Sequence, residues 1–510
     1  MAPVTNLLNE LNMSTLSNLF LLSVLLLTIF NFFSILRSGE KLKSPPSPRR
    51  LPIIGNLHQL GTLPHRSLHT LSKKYGPLML LHLGQFPTLV VSSADMAKEI
   101  KKTHDSVCCN RPQFTATNIL LYGCKDLAFS PYGEYWRQVR KLCVVELLSL
   151  KKVQQFQYAR EEEVAKLVKK IRKECLSESP IDLSDMLKKT SNNILSSCVI
   201  GKRFAEENDN WFGEASRRLM VQLMYFSFGD FFPSLRWIDN LRGFIARLKA
   251  TSAELDGFFD KLIEEHKAIK RECELKTRDF VDILLKYGKN DALNLDLTQD
   301  NLKAIIQDMF IGGSDTTSTT LEWLMAELVR NPNVMEKVQQ EVRRVVGQKA
   351  KVDVDDINQM DYLKCVIKET LRLHPPTTLI HRETTRAVTL GGYYIPAKTR
   401  ILVNTFAIQR DPTFWDKPEE FLPDRFEDNL IHFNGQDFQF VPFGGGRRGC
   451  PGQAFALAAA EYMVANLLYW FDWKLTSGNV SVEAVDMSEV YGLVLYKKAP
   501  LRLVPIPFST

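Results

Sequence analysis

The sequence predicts one mainly helical domain with a minor β region, set behind a single N-terminal membrane-spanning helix. Three observations lead there: an uncharged apolar run near the N-terminus, a proline-rich spacer after it, and helical periodicity over most of the remaining chain, with β alternation in only two places. The 510 residues are 45% hydrophobic and 24% charged, the composition of a globular protein able to bury a large core.

The run Leu16 to Leu36 carries no formal charge, and as a helix it is just long enough to cross about 30 Å of hydrocarbon. Only Glu10 precedes it, whereas Arg37, Lys41, Lys43, Arg49 and Arg50 follow, so the positive-inside rule leaves the rest of the chain on the cytosolic side. A removable signal peptide fits less well, because the run is long, no Ala-x-Ala-like site follows it, and its downstream flank is basic. Residues 1–36 are therefore expected to hold the anchor (about 16–36), residues 37–56 to form a basic, proline-rich hinge, and residues 57–510 to form the globular domain. In the hinge, Ser44-Pro45-Pro46-Ser47-Pro48 fixes φ and removes backbone donors, which gives an extended spacer.

Leu78 to Leu83 and Thr88 to Val91 read as strands joined at Gly84-Gln85-Phe86-Pro87. From Ala94 to about Lys289 helical spacing dominates, as in Val153 to Arg172. A second sheet-like patch, Ala387 to Asn404, turns at Gly391-Gly392 and Pro396-Ala397. Thr298 is an N-cap candidate for a helix that stops at Asn331-Pro332, a length of about 50 Å. Its middle, Gly312-Gly313-Ser314-Asp315-Thr316-Thr317, is poor helix sequence, costing about 1 kcal/mol per glycine relative to alanine. Either the glycines let another element pack closely, or they open the helix where a ligand meets the backbone.

The net charge of +7 and the pI near 8.8 are spread over a long chain. There is no lysine and arginine block, RNA-binding signature or zinc-finger spacing, which excludes nucleic acid and favours an acidic protein partner or anionic lipid. The 9 cysteines form no Cys-x-x-Cys pair, so neither a disulfide framework nor a zinc site is expected. Most read as small core residues in a reducing compartment.

Cys450 is different. It ends Phe443-Gly444-Gly445-Gly446-Arg447-Arg448-Gly449-Cys450-Pro451-Gly452, just before a helical run from Gln453 to Tyr469. A thiolate at a helix N-terminus gains from the helix dipole and free N–H donors, which keep it ionised for donation to iron. Glycines let the loop turn and let a flat macrocycle approach, Arg448 can pair with a carboxylate, and Phe443 can shield the sulfur. The string matches Phe-x-x-Gly-x-Arg-x-Cys-x-Gly, the haem-binding signature of the cytochromes P-450, at Phe443, Gly446, Arg448, Cys450 and Gly452.

Other motifs resemble that family in order. Trp136 and Arg140 match its Trp-x-x-x-Arg pair, which the resemblance assigns to a haem propionate. Gly312 to Thr317 resembles its oxygen-activation motif; here residue chemistry agrees, since a hydroxyl at Thr316 backed by the Asp315 carboxylate can relay the protons that splitting dioxygen requires. Glu369 and Arg372 resemble its Glu-x-x-Arg motif, and Pro423-Asp424-Arg425-Phe426 its Pro-Glu-Arg-Phe motif with Asp for Glu. The resemblance makes Glu369, Arg372 and Arg425 a buried cluster supporting the haem loop.

The resemblance covers nearly the whole chain after the spacer and is strongest to plant microsomal members of the large family numbered 71. It implies the cytochrome P-450 fold, haem b on Cys450, and a monooxygenase using O2 and NADPH through a separate flavoprotein reductase. It also implies the endoplasmic reticulum membrane with the catalytic domain cytosolic, membrane lipid as a contact, and a small apolar substrate: a terpenoid, phenolic or alkaloid. A dehydratase, isomerase or ring-coupling enzyme of the same fold is the alternative, and a non-enzymatic haem or lipid carrier a remote one. The substrate pocket is expected at Phe114, Ile119, Phe228, Met309, Phe310, Gly312, Gly313, Thr377, Leu379, Tyr491 and Leu493. Arg137, Lys141 and Arg447 are expected to present a basic face to the reductase.

Overall fold

The computed structural model describes residues 43–177, 179–201, 211–269, 279–287, 297–427, 431–433, 435–475 and 485–508, with Asn18, Leu21, Leu22, Ser23 and Leu25 from the apolar run. Most of the expected anchor lies outside the described residues, and among the described residues no helix is long and apolar enough to cross a membrane.

The elements that position the site are β1 (Leu78–Leu83), β2 (Phe86–Val91), α1 (Glu134–Leu142), α2 (Leu183–Ile200), α3 (Gln299–Gly313), α4 (Asp315–Arg330), α5 (Asp361–Leu373), β3 (Leu379–Glu383), β4 (Arg400–Asn404) and α6 (Gln453–Trp470). The fold is mainly helical with small sheets, as the periodicity predicts. The largest sheet runs β1-β2-β4-β3. Its β1 and β2 are antiparallel, β2 and β4 parallel with Val90 opposite Leu402, and β3 antiparallel to β4 with Ile380 opposite Val403. Strand β2 starts two residues earlier than expected. Leu83 pairs with Phe86, leaving Gly84-Gln85 as the turn, and Pro87 is tolerated because pairing to β4 begins only at Thr88. At Gly84 φ is +60° and a Cβ would overlap the Phe231 carbonyl, so no other residue type fits.

The expected Ala387 to Asn404 patch divides in two. Val388–Leu390 and Tyr393–Ile395 form their own hairpin about Gly391-Gly392, while β4 crosses into the larger sheet. Of the expected hinge, residues 43–50 carry no helix or strand and Leu51 to Gly55 close a tight turn, with Leu51 N–H donating to the Gly55 carbonyl at 3.0 Å. The segment is tied to the domain, since Leu80 N–H donates to the Pro46 carbonyl at 2.9 Å and Tyr394 N–H to the Lys43 carbonyl at 3.0 Å.

The long helix behaves as its sequence suggests. Thr298 caps α3 in a reciprocal bond pattern with Asn301, and the helix breaks at Ser314 before α4 continues to Arg330. Each glycine at the break answers one of the two readings. A Cβ on Gly313 would stand 2.8 Å from Leu195 Cδ1, so that glycine lets α2 pack closely; a Cβ on Gly312 would meet nothing within 4 Å, so that glycine opens a space. The apolar core lies among α2, α4, α5 and α6. Trp323 of α4 is fully buried, donates to the Leu495 carbonyl at 3.0 Å, and stacks on His374 at 4.3 Å between ring centroids.

Candidate active site

Of the 8 described cysteines, 7 are buried and Cys450 alone is open. It opens into a cavity bounded on one side by its own loop and on the other by Met309, Gly312, Gly313 and Thr316 of the broken helix. The loop is held by short local bonds: Cys450 N–H donates to the Phe443 carbonyl at 2.9 Å, and Gly449 N–H to the Gly446 carbonyl at 3.0 Å. At Gly446 φ is +65° and a Cβ would run into the Lys101 carbonyl and the Asp105 carboxylate, which is why the signature glycine is required. Phe443 lines the cavity and meets Phe433 edge-on at 5.4 Å. Helix α6 starts behind Gly452, so Cys450 does sit at a helix N-terminus. Burial pushes the Cys450 thiol above its usual range, and the Gly452 N–H and Arg140 oppose that push.

Around the cavity edge stands an excess of buried cations. Arg111, Arg140 and Arg448 line the cavity, and Arg382 lies behind the Cys450 loop, its Nη2 reaching 3.5 Å from the Gly445 carbonyl. Burial pushes Arg448 and Arg111 each down to about 9, and burial, with Arg111 adding repulsion, pushes Arg382 well below the usual guanidinium range. The acids nearest them are Asp105 and Asp126, and Arg382 Nη1 has no acceptor among the described residues. Such a set is costly without an anion to neutralise it. A macrocycle with an iron for the open thiol and carboxylates for the cations is the group these residues fit.

Trp136 and Arg140 need correction as a joint propionate clamp. Trp136 is buried beside the cavity without lining it, donates to the Leu127 carbonyl at 2.9 Å, and lies under the Arg448 guanidinium at 4.1 Å. Arg140 reaches the cavity and donates to the Gly449 carbonyl at 2.7 Å. Arg448 itself is spread over the carbonyls of Cys109, Leu127 and Ser130. Missed altogether was the segment 126–130, whose carbonyls receive these donors, together with Arg111 and Asp308. Asp308 lines the cavity and accepts the Leu127 and Ala128 N–H groups at 2.5 and 3.3 Å, with burial and Asp126 holding its carboxyl well above the usual range.

Asp315 and Thr316 are adjacent but part ways. The Thr316 hydroxyl donates to the Gly312 carbonyl at 2.6 Å and borders the cavity. The Asp315 carboxylate accepts the Tyr496 hydroxyl at 2.8 Å and lies 3.9 Å from Lys188, turned from the cavity lining rather than backing the hydroxyl.

The supporting cluster is fully assembled. Glu369 and Arg372 are completely buried, joined by bonds of 2.7 and 2.8 Å, and Arg425 Nε reaches Glu369 at 3.1 Å. Arg372 also donates to the carbonyls of Gln409 and Pro418, and Gln409 accepts the Val441 N–H at 2.9 Å, two residues before Phe443. Asp424, the departure from the family motif, faces Lys337 instead, at 2.6 Å.

Among the expected pocket residues, Met309, Gly312, Gly313, Thr377, Leu379 and Leu493 line the cavity. Phe114, Ile119, Phe228, Phe310 and Tyr491 do not. Phe114 lies edge-on to His381 and under Arg400, Phe228 meets Phe226 and Arg242, and Tyr491 stacks on His65; Ile119 and Phe310 pack into the main core. Leu121, Phe129, Ile311 and Ile380 face the cavity instead.

The sequence profile of the family described as cytochrome P450 matches residues 45–500. The chain belongs to the cytochrome P450 family. This P450 is 59% identical to a phenylacetaldehyde oxime monooxygenase of Prunus mume over 98% of its own length and 97% of the relative's. It is 51% identical to cytochrome P450 71A1 of Persea americana (95% and 98%) and 44% identical to a strychnine-11-hydroxylase of Strychnos nux-vomica (97% and 98%). A zebra fish cytochrome P450 solved with progesterone superimposes at TM-score 0.74 and 26% identity, covering 87% of this chain and 99% of that one. The chain is a plant P450 like those of family 71, a haem-thiolate monooxygenase.

Proposed function

We propose that this P450 inserts one oxygen atom of O2 into a small, apolar, aromatic plant metabolite, an aryl aldoxime being the first candidate. One observation carries the reading: the open Cys450 and the Thr316 hydroxyl border the same largely apolar cavity, from opposite sides. Leu121, Phe129, Ile311 and Leu493 offer apolar walls suited to a ring, and the likeness to the oxime monooxygenase supports the aldoxime. When bound, haem supplies the oxidising chemistry. Arg111, Arg140 and Arg448 hold its carboxylates, Cys450 holds its iron, and the helix break leaves room for a small ligand at Gly312. The Thr316 oxygen, whose proton points to Gly312, keeps lone pairs for a hydrogen bond from the cavity. Asp315 stands at the other side of the break beside Lys188, placed to bring protons in from outside once it leaves Tyr496. A panel of aldoximes, terpenoids, phenolics and alkaloids, screened for substrate-induced haem spectral shifts and then for NADPH-dependent products, tests this. No shift with any aldoxime overturns the candidate; NADPH-independent conversion favours the dehydratase reading.

Electrons come in this reading from a separate NADPH-dependent flavoprotein at the face of the Cys450 loop away from α3. The basic residues expected there are partly spent: Arg137 pairs with Glu134, and Arg447 with Asp105 at 3.0 Å, leaving Lys141 exposed without an ion pair among the described residues. The anchor at 16–36 holds the enzyme on the endoplasmic reticulum with residues 57–510 cytosolic as the haem-thiolate domain. Ile53 and Leu241, 81% and 77% exposed, add apolar surface for lipid.

A further inference from the structure

The Cys450 loop has a second face. There it borders a second cavity, which shares Arg140, Phe443 and Cys450 with the first, adds Lys101, Lys102, Gln436 and the Gly445–Gly446 backbone, and is lined by no residue of α3 or α4. Lys101 is the anomaly in it. The residue belongs to a single wide turn, Glu99–Thr103, is 2% exposed, and its Nζ has no hydrogen-bond acceptor among the described residues. It is locked against the loop: a Cβ at Gly446 would overlap its carbonyl, and one at Gly445 would stand 3.5 Å from its side-chain Cδ.

The groups around Lys101 do not neutralise it. Arg382 from β3 faces it with its own Nη1 unpartnered, and Lys102 and Arg140 border the same cavity. Asp105 is the nearest acid, and it is committed to Arg447, accepting the backbone N–H at 2.8 Å and Nη1 at 3.0 Å. Glu99, on the same turn, is turned to the Gly391 N–H. Burial, with Arg382 adding repulsion, pushes Lys101 down to about 7, and Asp105 only partly offsets this. An apolar side chain of the same length would fill this position without the cost of burying an ammonium. The cost is borne against the loop that carries Cys450.

We propose that Lys101 sets the reduction potential of the haem from behind the thiolate loop, its buried positive charge favouring the reduced state. The step is the transfer of one electron from the reduced flavin partner to ferric haem, giving ferrous haem, with no bond made or broken at Lys101. The centre gains one negative charge, and a nearby buried cation in a low-dielectric setting stabilises that charge. Lys101 acts through its charge.

The test is a spectroelectrochemical titration of the full-length haem-loaded enzyme, at mildly acidic pH so that Lys101 is protonated. Lys101→Met is expected to lower the ferrous-to-ferric ratio at fixed applied potential about tenfold, which for a one-electron couple is about 59 mV. Lys101→Gln should move it the same way and Lys101→Arg should leave it near wild type, all three keeping the thiolate-type reduced carbon-monoxide band. An unchanged potential in Lys101→Met with that band intact overturns the proposal. An equal shift in Lys101→Arg does so too, since it marks packing rather than charge, as does loss of haem in both the Met and Gln variants, which makes Lys101 a structural residue.

Discussion

Cys450 and Thr316 show how little separates a functional side chain from an ordinary one. Seven other described cysteines are buried thiols, some with the same upward push on the thiol from burial; Cys450 differs in facing a cavity ringed by cations. Cys450→Ala is expected to abolish the thiolate-type reduced carbon-monoxide band while the purified protein retains its helical circular dichroism. Persistence of that band in the variant would refute the ligand assignment. Thr316 is bonded to Gly312 as any helical threonine could be, and only its position on the cavity sets it apart. Thr316→Ala should keep haem but lower product formed per NADPH consumed by about tenfold or more, the scale of a lost proton-transfer group. Equal coupling in variant and wild type would remove the hydroxyl from the proton route.

Elements were legible where chemistry forces residue types into a fixed spacing. The Cys450 loop, the Glu369–Arg372 pair one helical turn apart and the interrupted helix each carry their reason locally. What remained open at the helix break was which glycine did what, because that depends on α2, a neighbour no spacing reveals. The structure makes this a differential prediction. Gly313→Val should lower stability by about 1–3 kcal/mol by overpacking against Leu195, whereas Gly312→Ala should leave it level or higher through helix propensity and perturb substrate spectral shifts instead. Thermal unfolding of the two haem-loaded variants checks the contrast; equal losses would refute it. For the Glu369 cluster, Glu369→Ala strands two guanidiniums and should cost about 3–5 kcal/mol, read as loss of soluble haem protein. Glu369→Gln, which still accepts hydrogen bonds, should be milder.

At the scale of the whole molecule, the cationic rim was legible only at Arg140 and Arg448, which lie in motifs; Arg111 and Arg382 come from distant segments that only the topology brings to them. Arg382 did leave a faint trace, a charge inside the otherwise apolar start of a buried strand, Leu379-Ile380-His381-Arg382. The domain boundary was blurred for a similar reason: proline chemistry marks a spacer, yet long-range bonds decide whether the spacer swings free. Its carbonyls at Lys43 and Pro46 receive strand N–H groups, and Asn56, fully buried, accepts the His82 N–H at 2.8 Å on its side-chain oxygen while its own N–H donates back to His82 at 2.7 Å. Two truncations should therefore differ. Removing residues 1–36 takes away the expected anchor and none of these bonds, so the protein should leave membranes in part and keep its haem and its melting temperature. Removing residues 1–56 also frees the β1 edge and leaves His82 N–H without its acceptor, each lost bond counting for about 1 kcal/mol or more once its partner is stranded. The longer truncation should melt several degrees lower at equal haem content. Equal melting temperatures for the two would show that the spacer is a free hinge after all, and loss of haem from the shorter one would tie the N-terminal segment to the site itself.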